Sequence, residues 1–330
     1  GVQTCALPIL GSGGMGVVYL GTTGTRTAAV KIVRDFLLED PTSRTRLARE
    51  VDALKKVKSP YVAEIVNSDV DSTPAWIATN YVDGPSLRTL ITNEGVLSES
   101  AWLEFAFGLI SAIHAVHKAG IIHRDVKPSN ILMSATGPRL IDFGISFSKE
   151  ATAITRTGMV AGTPSWFAPE QFQSNKISNA VDIFAAGSIL YFAATGTSPW
   201  GDEDTSVAKT MNSIINSEPD LNKLTNTQRR LVEPMLVKNP KDRFSAEKLL
   251  NLIQEIKEST GIQFSQKSKN SRGPRKVVVA AVALTLVGAG TLSYLHFSKP
   301  DSITSTPVKK VIYWNIQFDG DLKAQDRKST

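Results

Sequence analysis

Glycines at positions 11, 13 and 16 stand between Leu10 and the β-prone run Val17-Val18-Tyr19-Leu20, and the residues after them decide what the chain can build. Glycine at that spacing lets a backbone approach a polyphosphate with no Cβ in the way. Dinucleotide-binding folds use the same spacing, but they need a helix directly after the glycines. Here a turn at 21–24 and a second strand, Ala28-Ala29-Val30-Lys31-Ile32-Val33, come instead. The glycines therefore lie within a β-hairpin, which suits a flap over phosphates. Lys31 on the second strand is placed to hold those phosphates as a point charge.

Leu47, Val51 and Leu54 mark the core face of a helix within 42–57. Glu50 sits beside that face, turned toward the strands, where it can pair with Lys31; one more solvated glutamate is the plainer reading. Beyond this strand-rich front, residues up to 256 read as helical. Leu97–Gly120 is a long helix with Ser98 at its N-cap and Gly120 just past its end. It is apolar on nearly every face, which makes it the central buried helix of its lobe. His114 and His117, one turn apart on it, have no third ligand type nearby and read as packing residues.

The densest chemistry is His123-Arg124-Asp125-Val126-Lys127-Pro128-Ser129-Asn130, followed twelve residues later by Asp142-Phe143-Gly144. Pro128 and the mixed charges predict an irregular loop, backed by the short strands Ile131-Leu132-Met133 and Arg139-Leu140-Ile141. That loop gathers a carboxylate, an ammonium and an amide. Asp125 can accept a hydroxyl proton and Lys127 can neutralise a transferring phosphoryl group. Asn130 and Asp142 can supply hard oxygen ligands to magnesium.

With these motifs in order, the chain resembles the eukaryotic-type (Hanks-type) serine/threonine protein kinases over about residues 10–256. The wording of its glycine loop, Gly11-Ser12-Gly13-Gly14-Met15-Gly16, is most similar to that of the bacterial single-span membrane kinases. The resemblance implies an α+β, bilobal fold: a β-rich N-lobe over 10–82 and a mostly helical C-lobe over 83–256. It makes Lys31 the phosphate-binding lysine, Glu50 its helical partner, Asp125 the catalytic base, and Asn130 with Asp142 the metal ligands. Leu10, Val18, Ala29 and Leu132 match the positions that enclose adenine. Thr79 matches the gatekeeper before a hinge that includes Asn80 and Val82; Asn80 stands where an acid is common. Phe143 and Gly144 complete the metal-binding turn. Glu170, held by Arg243, closes the activation segment, and Asp182 fastens the catalytic loop. Thr163 and Lys127 point to serine or threonine as acceptor. Thr155 and Thr157 match the usual autophosphorylation doublet, with Arg124 as the cation on which a phosphorylated loop would dock. The implied cofactors are ATP and magnesium, with manganese able to replace it, and the implied partners are protein substrates.

The formal charge of +6 is not spread over this domain. Residues 257–276 carry six basic side chains against one acid and the stretch from 298 adds +2, which leaves residues 1–256 at −1. Nucleic-acid binding thereby loses its electrostatic footprint. Val277 to Leu295 is 19 residues without a charge, about 28 Å as a helix, which is enough to cross a bilayer. Drawn to residue 297, it predicts a single transmembrane helix. The basic linker before it puts the kinase-like part in the cytoplasm, at the cell membrane. Ala281, Thr285, Ala289 and Ser293 recur every four residues and would let two copies pack as a homodimer. Residues 298–330 form a short extracytoplasmic tail, strand-like at 311–318, that reads either as an edge in want of a partner or as the start of something longer. At the other end, residues 1–9 read as foreign to the coding sequence, and Pro8 would cost a first strand one ladder donor. Cys5 lies there, and a single cysteine rules out an intramolecular disulfide.

Two readings of other classes compete with an active enzyme. A membrane-tethered pseudokinase scaffold would signal by binding and usually lacks the lysine, the base or the metal aspartate; Lys31, Asp125 and Asp142 are all present. A small-molecule phosphotransferase would have little use for the segment from Thr163 to Glu170, which suits peptide docking.

Overall fold

The computed structural model describes residues 8–14, 16–23, 26–142, 164–173, 177–201 and 205–264. Met15, Phe143, Gly144, Thr155, Thr157, Thr163 and the apolar segment 277–297 lie outside the described residues.

The front of the chain is a five-stranded antiparallel sheet of β1 (Ile9–Gly13), β2 (Gly16–Thr23), β3 (Arg26–Val33), β4 (Ile65–Asp69) and β5 (Trp76–Asn80), in the order β1-β2-β3-β5-β4. The first strand starts earlier than the sequence suggests. Ile9 pairs with Tyr19, and the Pro8 carbonyl accepts the Leu20 N–H at 2.8 Å. Proline lacks a donor but not an acceptor, so Pro8 can still begin the ladder. At Gly16, β2 and β3 close so tightly that a Cβ would sit 2.1 Å from the Ile32 carbonyl oxygen. That glycine is required by the hairpin itself.

Between β3 and β4 runs α1 (Pro41–Leu54), started by Asp40, whose side chain accepts the Thr42 N–H at 3.0 Å, and by proline at its first position. Leu47, Val51 and Leu54 are buried on its inner face.

After Asn80 the chain crosses to a mostly helical lobe. Its elements are α2 (Leu87–Glu94), α3 (Glu99–Lys118), the hairpin β6 (Ile131–Ser134) and β7 (Gly137–Leu140), α4 (Pro169–Gln173), α5 (Ala180–Thr195), α6 (Val207–Asn216), α7 (Asn226–Val232) and α8 (Ala246–Thr260). Ser98 caps α3 and Gly120 follows its end at φ +77°, as the sequence predicts. The most enclosed helix is α5, however. Thirteen of its sixteen residues are buried, against ten of twenty in α3. Its apolar residues surround the axis with no polar face, so periodicity gives no reason to rank it above α3. α3 packs against α5, α8 and β7, and these contacts form the centre of the lobe. Among the described residues, no helix is long and apolar enough to cross a membrane.

Trp102 joins the two central helices: its indole N–H donates to the Leu190 carbonyl at 2.8 Å, and the side chain is fully buried. Replacing Trp102 with Ala empties the largest enclosed site and orphans that carbonyl. The expected loss is about 3–5 kcal/mol, read from urea unfolding followed by tryptophan-independent circular dichroism.

Candidate active site

The catalytic-type loop begins where α3 ends. Residues 121–127 are irregular, and Pro128–Asn130 form a single 3-10 turn before β6. Such a loop needs partners for its backbone N–H groups. One buried carboxylate provides them: Asp182, in the first turn of α5, accepts the His123 N–H on Oδ2 and the Arg124 N–H on Oδ1, both at 2.8 Å. His117 Nε2 lies 2.8 Å from Oδ2 and orients the same carboxylate from α3. With both oxygens taken, Asp182 fixes a backbone that is strained at Arg124, where φ is +65°.

Within the loop, Asp125 Oδ2 accepts Lys127 Nζ at 2.8 Å and Asn130 Nδ2 at 3.0 Å. Both of these bonds go to one oxygen. The other, Oδ1, is left to accept a proton from an incoming hydroxyl. Asn130 Nδ2 also donates to the Asp125 carbonyl at 2.9 Å, which commits the nitrogen end of the amide and leaves its oxygen as the end able to serve as a hard ligand. The Asn130 carbonyl accepts the Ile141 N–H at 2.9 Å, so Asp142 is delivered beside Asn130. Asp142 itself has φ +54°, a left-handed conformation that aspartate tolerates better than most residues.

His123 closes the arrangement from below. It is fully buried, with Nε2 3.3 Å from the Ile141 carbonyl. Burial holds its pKa below the usual imidazole value, against the opposing pull of Asp182 and Asp125, so it stays neutral at physiological pH.

From the sheet, Lys31 reaches across and ion-pairs with Asp142 Oδ1. The sequence pattern pairs Lys31 with Glu50 instead, and in this structure that pair is not formed. Among the described residues the ammonium's ionic partner is Asp142. Glu50 on α1 is shifted toward its neutral form by burial, and the cations that oppose that shift are Arg124 and Arg46. Two carboxylates compete for one lysine, and the one at the end of β7 holds it.

The remaining candidates are split between the lobes. Ala29 lies opposite Thr79 and Val18 opposite Lys31 in the sheet, Leu10 is on β1, and Asn80 ends β5 ahead of Val82. Leu132 is on β6 of the helical lobe, bridged to Ser86 at the start of α2. A nucleotide base would sit between these two surfaces. Gly11, Ser12, Gly13 and Gly14 form the hairpin tip above, and a Cβ placed on any of its glycines would meet nothing within 4 Å. Unlike Gly16, these glycines answer no demand of the protein's own packing; their bare backbone suits close contact with phosphates. The oxygen ligands of Asn130 and Asp142 likewise fit a hard divalent cation.

On the far side, Arg243 and Glu170 make a bidentate pair, Nη1 to Oε1 at 2.6 Å and Nη2 to Oε2 at 2.8 Å, buried against the Phe184 ring. Arg243 also donates to the carbonyls of Val237, Lys238 and Ala180. This joins the segment after residue 163 to α5 and to the turn before α8.

The protein kinase domain family matches residues 6–252. The chain belongs to the protein kinase family. Among curated proteins it is similar to the probable serine/threonine-protein kinase PkwA of Thermomonospora curvata, 38% identical over 242 residues that cover 73% of this chain and 32% of the relative. The serine/threonine-protein kinase AfsK of Streptomyces griseus is 40% identical over 226 residues, 68% of this chain and 28% of AfsK. PknB of Mycobacterium tuberculosis is 35% identical over 210 residues, 61% of this chain and 34% of PknB. The chain thus spans about a third of the length of the curated relatives it matches. A crystal structure of Rad53 1-466 in complex with AMP-PNP shares the fold with a TM-score of 0.62 over 74% of this chain and 62% of that one, at 24% identity.

Two residues of this kinase domain are not found by sequence reasoning. His117 has the pattern of a packing residue, yet it braces Asp182; its position in the last turn of a helix that leads into His123 is the available signal. Arg34, just past β3, grips the Gly13 carbonyl through Nε and Nη2 at 3.2 and 3.1 Å and so holds the hairpin tip. Nothing in the local pattern around Arg34 marks that contact.

Substituting Asp182 with Ala leaves two backbone N–H groups without their acceptor and His117 without its partner. At about 1–3 kcal/mol for each buried group left unsatisfied, the variant should unfold at visibly lower denaturant. Hydrogen exchange should also show the amides of His123 and Arg124 losing protection first.

Proposed function

We propose that this chain is an active, ATP-dependent protein kinase that phosphorylates serine or threonine, held at a membrane by its segment 277–297. The observation that carries the reading is the convergence of Asp125, Lys127, Asn130 and Asp142 on one loop, with Lys31 reaching them from the opposite lobe. The names of the bacterial relatives support serine/threonine as the acceptor class. No observation favours a scaffold without catalysis.

When bound, ATP supplies the phosphoryl group, and magnesium or manganese neutralises its charge as it transfers. The chain's own residues do the rest. The backbone of Gly11 to Gly14 covers the phosphates and Arg34 steadies that cover. Lys31 binds phosphate oxygens, while Asn130 and Asp142 hold the cation. Asp125 orients the substrate hydroxyl and takes its proton on Oδ1. Lys127, 2.8 Å from Asp125 Oδ2, is close enough to meet negative charge that builds on the transferred group. Ser165 and Trp166, buried in the short turn Pro164–Trp166, form the floor on which a peptide would lie, and Glu170 and Arg243 hold that floor in place.

Two further parts of the proposal rest on sequence alone. Thr155 and Thr157 would receive phosphate from a second copy, brought near by the small-residue face of the membrane helix. The new charge would dock the segment toward Arg124. The basic linker 257–276 would keep the kinase domain on the cytoplasmic side.

Alanine at Asp125 or at Asp142 should each lower phosphorylation of a protein substrate by about a hundredfold or more at saturating ATP. The double variant should be little worse than either single one, because the groups act as a unit. Far-ultraviolet circular dichroism should be unchanged. Activity of Asp142→Ala within tenfold of the parent would remove the metal-ligand role.

Phosphopeptide mapping of the active enzyme should find phosphate at Thr155 or Thr157, and Thr155→Ala/Thr157→Ala should keep nucleotide binding while losing most activity toward added substrate. The switch is refuted if neither carries phosphate and the double variant matches the parent rate.

A further inference from the structure

The two arms of the glycine hairpin are fixed to the sheet by different means. On β2, Gly16 is packed against the Ile32 carbonyl of β3. On β1, a Cβ at Gly13 or Gly14 would meet nothing within 4 Å, and the tie is a side chain. Arg34 donates from Nε and Nη2 to the Gly13 carbonyl at 3.2 and 3.1 Å. Its own backbone is held firmly. Val33 beside it is buried and donates its N–H to the Ala75 carbonyl at 2.9 Å. The Arg34 carbonyl accepts the Leu37 N–H at 3.0 Å in the 3-10 turn Asp35–Leu38.

The face from which Arg34 reaches is the informative part. Ile32 packs with Ala28, Val30, Trp76 and Ala78 on one side of the sheet, whereas Val33 belongs to the main core on the other. Alternation along β3 puts Lys31 on the Val33 side. Arg34 continues the extended backbone, at φ −73° and ψ 133°, and so falls on the Ile32 side. Arg34 and Lys31 therefore work from opposite faces. Among the described residues the cis peptide bond is Thr73–Pro74, so the Gly13–Gly14 bond is trans. In a planar trans peptide the C=O and the N–H point in opposite directions. A Gly13 carbonyl drawn toward Arg34 turns the Gly14 N–H toward the Lys31 face.

We propose that Arg34 is a positioning residue for phosphate binding, which holds the Gly13 carbonyl outward and thereby presents the Gly14 N–H to a phosphate oxygen of the nucleotide. This rests on the reading of the chain as an ATP-dependent kinase. A peptide between two glycines has no Cβ on either side to oppose rotation of its plane. Left to itself it could turn the Gly13 oxygen inward, where its lone pairs would repel the phosphates. The arginine fork settles the sign of that interaction: a donor, not an acceptor, faces the anion. Arg34 acts through the peptide and needs no contact with the nucleotide.

The test measures binding of two ligands to the full chain by calorimetry: AMP-PNP with magnesium, and adenosine, which has no phosphate. Arg34→Met fills similar space with no donor and should weaken AMP-PNP about fivefold or more, while adenosine binds as it does to the parent. In Arg34→Gln the amide nitrogen takes the place of Nε without the charge, and AMP-PNP should stay within about twofold of the parent. Equal weakening of both ligands in Arg34→Met would mean a general disturbance of the hairpin and overturns the role. So does an Arg34→Met that binds AMP-PNP like the parent. An Arg34→Gln no better than Arg34→Met overturns it too, because the charge is then what matters. In all three outcomes the parent still binds AMP-PNP and the kinase reading stands. A parent that does not bind AMP-PNP defeats that reading and this role together.

Discussion

A single buried carboxylate organises this molecule. Asp182 carries its charge inside the helical lobe, where an isolated ion would be prohibitively costly. It is tolerated because its two oxygens accept two backbone N–H groups and face an imidazole. The same bonds hold a loop that has no regular structure of its own and that runs through a positive φ at Arg124. Helices α3 and α5 thus do more than fill a core. Their packing, fixed by Trp102 and an α5 that is buried around nearly its whole circumference, brings His117 and Asp182 to the point where the loop must be held. Every catalytic-type group downstream, from Asp125 to Asp142, takes its position from that support.

A second theme is competition among acids for few cations. Lys31 could pair with Glu50 or with Asp142, and geometry gives it to Asp142. Glu50 is left in a half-buried place where desolvation favours its neutral form and Arg124 and Arg46 oppose that. Arg124 therefore stands between α1 and the catalytic loop, and any anion that drew it away would change the environment of Glu50. The coupling runs through charge, not through a shared apolar contact.

Much of this is legible in the sequence where local chemistry decides the outcome. Glycines followed by strands mark the hairpin, Ser98 and Gly120 mark the ends of α3, and the loop residues name the chemistry they can do. The rest depends on distance along the chain. The Lys31–Asp142 pair spans 111 residues, and no periodicity distinguishes it from Lys31–Glu50, since both carboxylates are of the right kind. His117 looks like core because its partner lies 65 residues away. Gly11 and Gly16 look alike in the motif, yet Gly16 is demanded by the Ile32 carbonyl and Gly11 by nothing in the protein. Pro8 reads as a breaker by its missing donor, while the ladder needs its acceptor.

The Glu170–Arg243 pair shows how such long-range choices are locked. A buried ion pair is weak evidence of net stabilisation, because two desolvated charges cost nearly what their attraction returns. Its value lies in what either charge would suffer alone, on the order of 3–5 kcal/mol when one partner is removed. Arg243 also satisfies three carbonyls, including that of Lys238, so the guanidinium is fully engaged only when α4, the start of α5 and the turn before α8 are all in register. A misregistered segment would leave a buried charge and several carbonyls unmet together. The pair therefore acts as a selector of one arrangement, and the buried turn Pro164–Trp166 inherits its definition from that selection.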